Sequence, residues 1–185
     1  MKPLFLIAIS LSLSLSSLAQ AKVNWMSWEE AVEASKTEPR LVFVDMYTSW
    51  CGWCKTMDRN TFANPVIAEV MNDHYYAVKM NAEMKDTIDF NGYQFVNPRP
   101  KGKRSAHQLA ASLLENKLSY PSFVFLNGKF ERLQIVPGYK SPQQFEPIIR
   151  YFVEGAPQSV PYEKYMQTFE TRLKKKPQQA KPTNN

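Results

Sequence analysis

Asp45-Met46-Tyr47-Thr48-Ser49-Trp50-Cys51-Gly52-Trp53-Cys54-Lys55 contains both cysteines of this 185-residue chain, two residues apart. Leu41-Val42-Phe43-Val44 precedes it, an apolar, β-rich run that reads as a buried strand. Lys55-Thr56-Met57-Asp58-Arg59 follows without Gly or Pro and can continue a helix. A strand that delivers Cys-x-x-Cys to a helix start is the setting of a dithiol redox site. Unpaired N–H groups and the positive end of the helix dipole stabilise a thiolate on the first cysteine. The second lies about one turn further on, within reach for a disulfide. Two readings compete. Structural zinc wants four N or S ligands, and the chain offers two thiols and two scattered histidines, His74 and His107. A purely structural disulfide would close so short a loop that it adds little stability by loop-closure entropy.

Trp50-Cys51-Gly52-Trp53-Cys54 resembles the active-site motif of the thioredoxin family, with Trp53 where thioredoxin has proline. Asp45, six residues before Cys51, matches the family's buried acid. Lys79 matches a lysine near that acid. Tyr120-Pro121-Ser122, followed by Phe123-Val124-Phe125-Leu126, resembles the segment that holds the family's cis-proline. The similarity runs from about Trp25 to Val153 and is nearest to the exported thioredoxin-like group, with an insertion before the helix that leads to the cis-proline. It implies an α/β thioredoxin-like fold, a central mixed β-sheet flanked by helices on both faces. It implies Cys51 as nucleophile, Cys54 as resolving thiol and Asp45 as the group that takes the resolving proton. Cys51 and Cys54 would form the redox-active disulfide. Trp50, Gly52, Trp53 and Lys79 would support the site, and Tyr120 and Pro121 would face the substrate. No cofactor is needed.

Residues 1–21 read as a secretory signal peptide: Lys2, an apolar serine-rich run from Leu4 to Leu18, and Ala19-Gln20-Ala21 for cleavage. The run is short for a membrane span, so no stable membrane insertion is expected after cleavage. An exported, periplasmic protein with only two cysteines, placed at a helix start, points to an enzyme acting on the thiols and disulfides of other proteins. The net charge of +6 falls to +5 without Lys2. Its excess is clustered in Arg99, Lys101, Lys103 and Arg104, and in Arg172, Lys174, Lys175 and Lys176. A solvated surface is the simplest reading of both clusters, and no nucleic-acid motif is present.

Along the chain, Ser27-Trp28-Glu29-Glu30 is a capping box, so a helix should start near Trp28 and stop before Pro39. Leu41 to Tyr47 is a strand. The active-site helix should run to about Phe62, and Asn64-Pro65 should start another. Tyr75 to Asn81 is the next strand. Asp86 to Asn97 carries Asn91-Gly92 between alternating apolar residues, predicting a hairpin that pairs Phe90 with Tyr93 and Ile88 with Phe95. The inserted segment 86–104 ends in a basic, flexible loop from Pro98, for which partner recognition is a speculative role. Ser105 should cap a helix through Leu109, Leu113 and Leu114. A second hairpin should turn at Asn127-Gly128. Ser141-Pro142 should start the last domain helix, with Pro147 kinking it or shifting its start and Gly155 ending it. The thioredoxin-like domain is thus expected over 22–155. Residues 156–185 are expected to form an amphipathic helix on Tyr162, Tyr165, Met166, Phe169 and Leu173 that docks on the domain or, alternatively, binds a partner, then a disordered basic tail.

The function expected is thiol–disulfide oxidoreduction outside the cytosol, more reductive than oxidative, since Gly52-Trp53 supplies no His or charge to hold a thiolate strongly. A reductase there needs a membrane partner that supplies electrons. Two other classes fit a dithiol: a Cu(I) delivery protein, against which the lack of a nearby Met- or His-rich segment counts, and a peptide-binding or chaperone module with incidental thiols.

Overall fold

The computed structural model describes residues 22–102, 104–154 and 159–169. Residues 1–21, expected to be a signal peptide, lie outside the described residues, as do Gly155 and the tail with Leu173.

The chain runs β1 (Trp25–Met26), α1 (Trp28–Thr37), β2 (Leu41–Tyr47), α2 (Gly52–Asn60), α3 (Pro65–His74), β3 (Tyr75–Asn81), β4 (Ile88–Phe90), β5 (Tyr93–Phe95), α4 (Gln108–Leu113), β6 (Ser122–Leu126), β7 (Arg132–Pro137), α5 (Pro142–Val153) and α6 (Tyr162–Thr168). Five strands form one sheet in the order β1-β3-β2-β6-β7. The pairs β1–β3 and β3–β2 are parallel, and β2–β6 and β6–β7 are antiparallel. The mixed sheet with helices on both faces is therefore present as expected.

β2 sits at the centre because it is apolar on both faces, and its five inner residues are buried. Alternation sorts its side chains. Val42, Val44 and Met46 join Trp28, Val78, Leu109, Leu113 and Leu126 in one core layer. Phe43 points the other way, among Met57 of α2, Ile67 and Met71 of α3, and Phe145 and Ile149 of α5. The Phe43 ring lies within 6.3 Å of Trp25, Phe62, Tyr75, Phe123, Phe125 and Phe145. Truncating such a ring to Ala costs about 3–5 kcal/mol. Asp45 shares the face of Phe43, which α2 covers.

The helix starts follow their caps. Ser27 and Glu30 close a capping box, and Asn64 Oδ1 accepts from the N–H groups of Val66 and Ile67. Ser141 and Gln144 close a second box ahead of Pro142. α2 stops at Asn60, slightly before the expected end.

Some of the remaining expectations hold and others change. The hairpin β4–β5 has the predicted register, Ile88↔Phe95 and Phe90↔Tyr93. It forms a separate two-stranded sheet, and Tyr93, at the turn, stays exposed. Ile88 buries itself in the core, and Phe90 packs edge-on to Trp28 at 5.0 Å. The cap of α4 is His107 rather than Ser105, whose hydroxyl is drawn instead to Asn97. The β6–β7 connection is longer than a two-residue Asn-Gly turn, with Phe130 at φ 63°. Phe130 is held there by Trp28 at 5.2 Å and Phe90 at 5.4 Å. Gly128 lies so close to Pro39 that an added Cβ would sit 2.9 Å from Pro39 Cβ. α5 runs through Pro147 with its start in place and ends on Glu154, because the buried residues on both sides of Pro147 anchor it. α6 docks through Tyr165, whose ring lies 5.2 Å from Tyr151 of α5, while Met166 is exposed.

Candidate active site

The end of β2 launches the active-site loop. Cys51 is the N-cap of α2, and its Sγ accepts the Cys54 N–H at 3.1 Å. The backbone N–H of Cys51 is itself bonded to the Thr48 carbonyl at 3.1 Å. Cys51 and Cys54 form a disulfide across this first turn, with Cα atoms 5.3 Å apart. No acidic residue lies in that turn, so nothing there opposes the positive helix end. Both cysteines are nearly buried, 4% and 3% exposed, while Trp50 and Trp53 beside them stand out at 51% and 62%. Gly52 is the first residue of α2, and a Cβ there would meet nothing within 4 Å. A glycine at this place leaves open space beside the disulfide rather than relieving a clash.

Asp45 is 1% exposed, and its Oδ2 accepts from Lys79 Nζ at 2.8 Å. The parallel register sets Asp45 opposite Lys79. The other oxygen, Oδ1, is buried with no hydrogen-bond partner. Burial raises the Asp45 pKa from 3.8 to about 6; Lys79 lowers it through charge and hydrogen bond, and Asp58 raises it further. Lys79 also pairs with Asp58 Oδ1. Its ammonium lies 4.7 Å from the Trp25 ring centroid, 5.2 Å from Tyr47 and 5.5 Å from Phe62. Burial works against the Lys79 charge, but the two carboxylates outweigh it and its pKa is raised.

The Tyr120–Pro121 peptide is cis. Pro121 precedes β6, whose first residue Ser122 pairs with Met46, so the turn lies at the same sheet end as the cysteines. Tyr120 stands edge-on to Trp50 at 6.0 Å. Burial, with Glu83 nearby, pushes the Tyr120 hydroxyl up to about 12.

Sequence reasoning missed several residues here. Asp58 lies four residues after Cys54, on the same helix face, a spacing that could have flagged it. Trp50 Nε1–H donates to the Glu83 carboxylate, 3.1 Å from each oxygen. The Arg104 guanidinium lies 5.0 Å from the Trp50 ring centroid. Tyr139 packs 5.3 Å from Trp53. Separations of 33 to 86 residues left no local signal for these last three. The two histidines stand apart from the site. His74 ends α3 on the surface, and His107 is buried under the inserted segment.

The Thioredox_DsbH family model, described as a protein of unknown function, DUF255, matches residues 7–126. The chain belongs to this thioredoxin-like family. Among solved structures, a thioredoxin from Thermus thermophilus superposes with a TM-score of 0.54 at 17% identity, over 71% of this chain and 88% of that one. A DsbH oxidoreductase gives 0.51 at 17% identity, over 77% and 90%. These two share the fold. Spermatogenesis-associated protein 20 of Rattus norvegicus is 28% identical over 85 residues, 45% of this chain and 11% of that protein. An uncharacterised protein of Caenorhabditis elegans is 29% identical over 72 residues, 38% of this chain and 10% of its own length. The match therefore spans about a tenth of these curated relatives. Membership of the DsbH-like family, together with the Cys51–Cys54 pair, supports thiol–disulfide oxidoreductase chemistry. Among the described residues no helix is long and apolar enough to cross a membrane, and no cluster of three or more His, Cys, Asp or Glu could hold a metal.

Proposed function

We propose that this protein is an extracytoplasmic thiol–disulfide oxidoreductase that reduces or exchanges disulfides in other proteins. The observation that carries the reading is Cys51 at the cap of α2, its sulfur facing the Cys54 N–H. In the reduced state that N–H and the helix end favour a Cys51 thiolate. The thiolate attacks a substrate disulfide, forming a Cys51–substrate bond and releasing one substrate thiolate. Cys54 passes its proton to Asp45 and attacks the Cys51 sulfur. The second substrate thiolate leaves as the Cys51–Cys54 bond forms, and two electrons have moved to the substrate. A carboxyl with a pKa of about 6 is mostly ionised at neutral pH, yet more basic than an ordinary one, which suits a proton acceptor. Tyr120 and Pro121 flank the approach, and Lys79 holds Asp45 in place. Each turnover needs a two-electron donor, which outside the cytosol implies a membrane partner. Export rests on the composition of residues 1–21.

The test joins two measurements. The rate of Cys51 alkylation against pH should give a thiol pKa below the free-cysteine value of about 8.5. A Cys54→Ser variant should accumulate a mixed disulfide with protein substrates, detected as a reducible adduct by mass spectrometry. A Cys51 that ionises like free cysteine and traps nothing would refute the proposal. Equilibration with glutathione fixes direction: a potential near about −270 mV supports a reductant, one near about −120 mV an oxidant.

A further inference from the structure

The inserted segment is stitched to the active-site end of the sheet. Ala82 N–H bonds to the Tyr47 carbonyl at 2.8 Å, and His107 N–H to the Ala82 carbonyl at 2.7 Å. Asn97, 6% exposed, is its knot. The amide of Asn97 donates to the carbonyls of Ser105 and Met84, at 2.8 and 3.1 Å, and its Oδ1 accepts from Ser105 Oγ and Arg99 N–H. Arg104 directly precedes this anchored Ser105. It takes a left-handed backbone, φ 56°, and lays its guanidinium over Trp50, the neighbour of Cys51. Arg40, Arg132 and Arg150 each pair with a carboxylate, but among the described residues no carboxylate pairs with Arg104.

Resting on the oxidoreductase reading, we propose that Arg104 is a specificity-determining residue, selecting disulfide substrates with an acidic residue beside the half-cystine. A guanidinium that stacks on an aromatic ring spends its face, not its edge. Its N–H donors stay free for a carboxylate, which they grip in a bidentate manner. The Glu83 carboxylate takes the Trp50 N–H, which orients the indole and enriches the ring face that Arg104 covers. The platform is thus fixed before substrate arrives, and the exposed cation lies over the residue that directly precedes Cys51.

The test uses the reduced protein and three cystine-bridged peptides that carry Asp, Asn or Lys two residues from the half-cystine. Exchange is followed by stopped-flow tryptophan fluorescence, since Trp50 and Trp53 flank the disulfide. Wild type should favour Asp over Asn about three- to fivefold at low salt, the size of an exposed ion pair, and lose most of that preference at high salt. Arg104→Ala should abolish the preference, Arg104→Glu should transfer it to the Lys peptide, and Arg104→Lys should keep part of it. Lys129→Glu makes the same charge change in the β6–β7 loop, at the sheet end where Leu126 pairs with Val42, away from the cysteines. It should leave the ratio in place. Equal rates with all three peptides would overturn the assignment, as would a ratio that Lys129→Glu shifts as much as Arg104→Glu. A dithiol that reacts with none of the peptides refutes the oxidoreductase reading, and this assignment with it.

Discussion

Replacing Asp45 with Asn should make the oxidised protein gain stability relative to wild type as pH rises toward neutral. The carboxyl is 1% exposed, one oxygen has no hydrogen-bond partner, and burial raises its pKa from 3.8 to about 6. The folded state therefore binds this proton more tightly than the unfolded chain does. Below pH 3.8 both states carry the proton and the group is neutral in effect. As pH rises from 3.8 to 6 the unfolded chain ionises first, and stability falls by up to 1.36 kcal/mol per pH unit. Above pH 6 the loss is complete, about 3 kcal/mol in all. Asn carries no such penalty. Its advantage over wild type should thus grow by about 3 kcal/mol between pH 3 and pH 8, or roughly 6–12 °C in Tm for a domain of this size. Any constant offset from the lost Lys79 hydrogen bond cancels in that pH difference. The assay is denaturant unfolding of the oxidised wild type and Asp45→Asn at intervals from pH 3 to 8, with disulfides intact and slopes compared. Parallel stability curves would show that Asp45 does not titrate near 6, and its role as proton acceptor would lose its physical basis.

Two further outcomes follow from the same electrostatics. Asp58→Asn removes a negative neighbour and leaves Lys79 to Asp45 alone, so the Asp45 pKa should drop below about 6; Lys79→Met should lift it above that value. Carboxyl-carbon NMR titration reads both, and a value that stays near 6 in both variants contradicts the triad. His107 is buried, with Nδ1 accepting from the Leu109 N–H and Nε2 facing the Asp86 carbonyl at 3.0 Å. Burial holds its pKa below the ordinary 6.5, so it contributes stability above pH 6.5 that is lost as pH falls through its folded value. Leu109 amide exchange should accelerate in that acid range relative to Phe125, in the central sheet; unchanged protection would refute the link.

The sequence by itself settled what short-range physics controls. Capping boxes, Asn64-Pro65, the apolar run of β2 and the Asn91-Gly92 turn each act within a few residues, and the elements lie where those signals put them. The Cys-x-x-Cys pair was legible for the same reason, since a sulfur and the N–H that faces it are three residues apart. Tertiary structure decided the rest. His107 displaced Ser105 as a cap because Asn97, eight residues upstream, drew the serine away. Phe130 lengthened a turn because Trp28 and Phe90 offered it a place to pack. Glu83, Arg104 and Tyr139 reach the site only through side chains that cross between elements, where distance along the chain carries no information about distance in space.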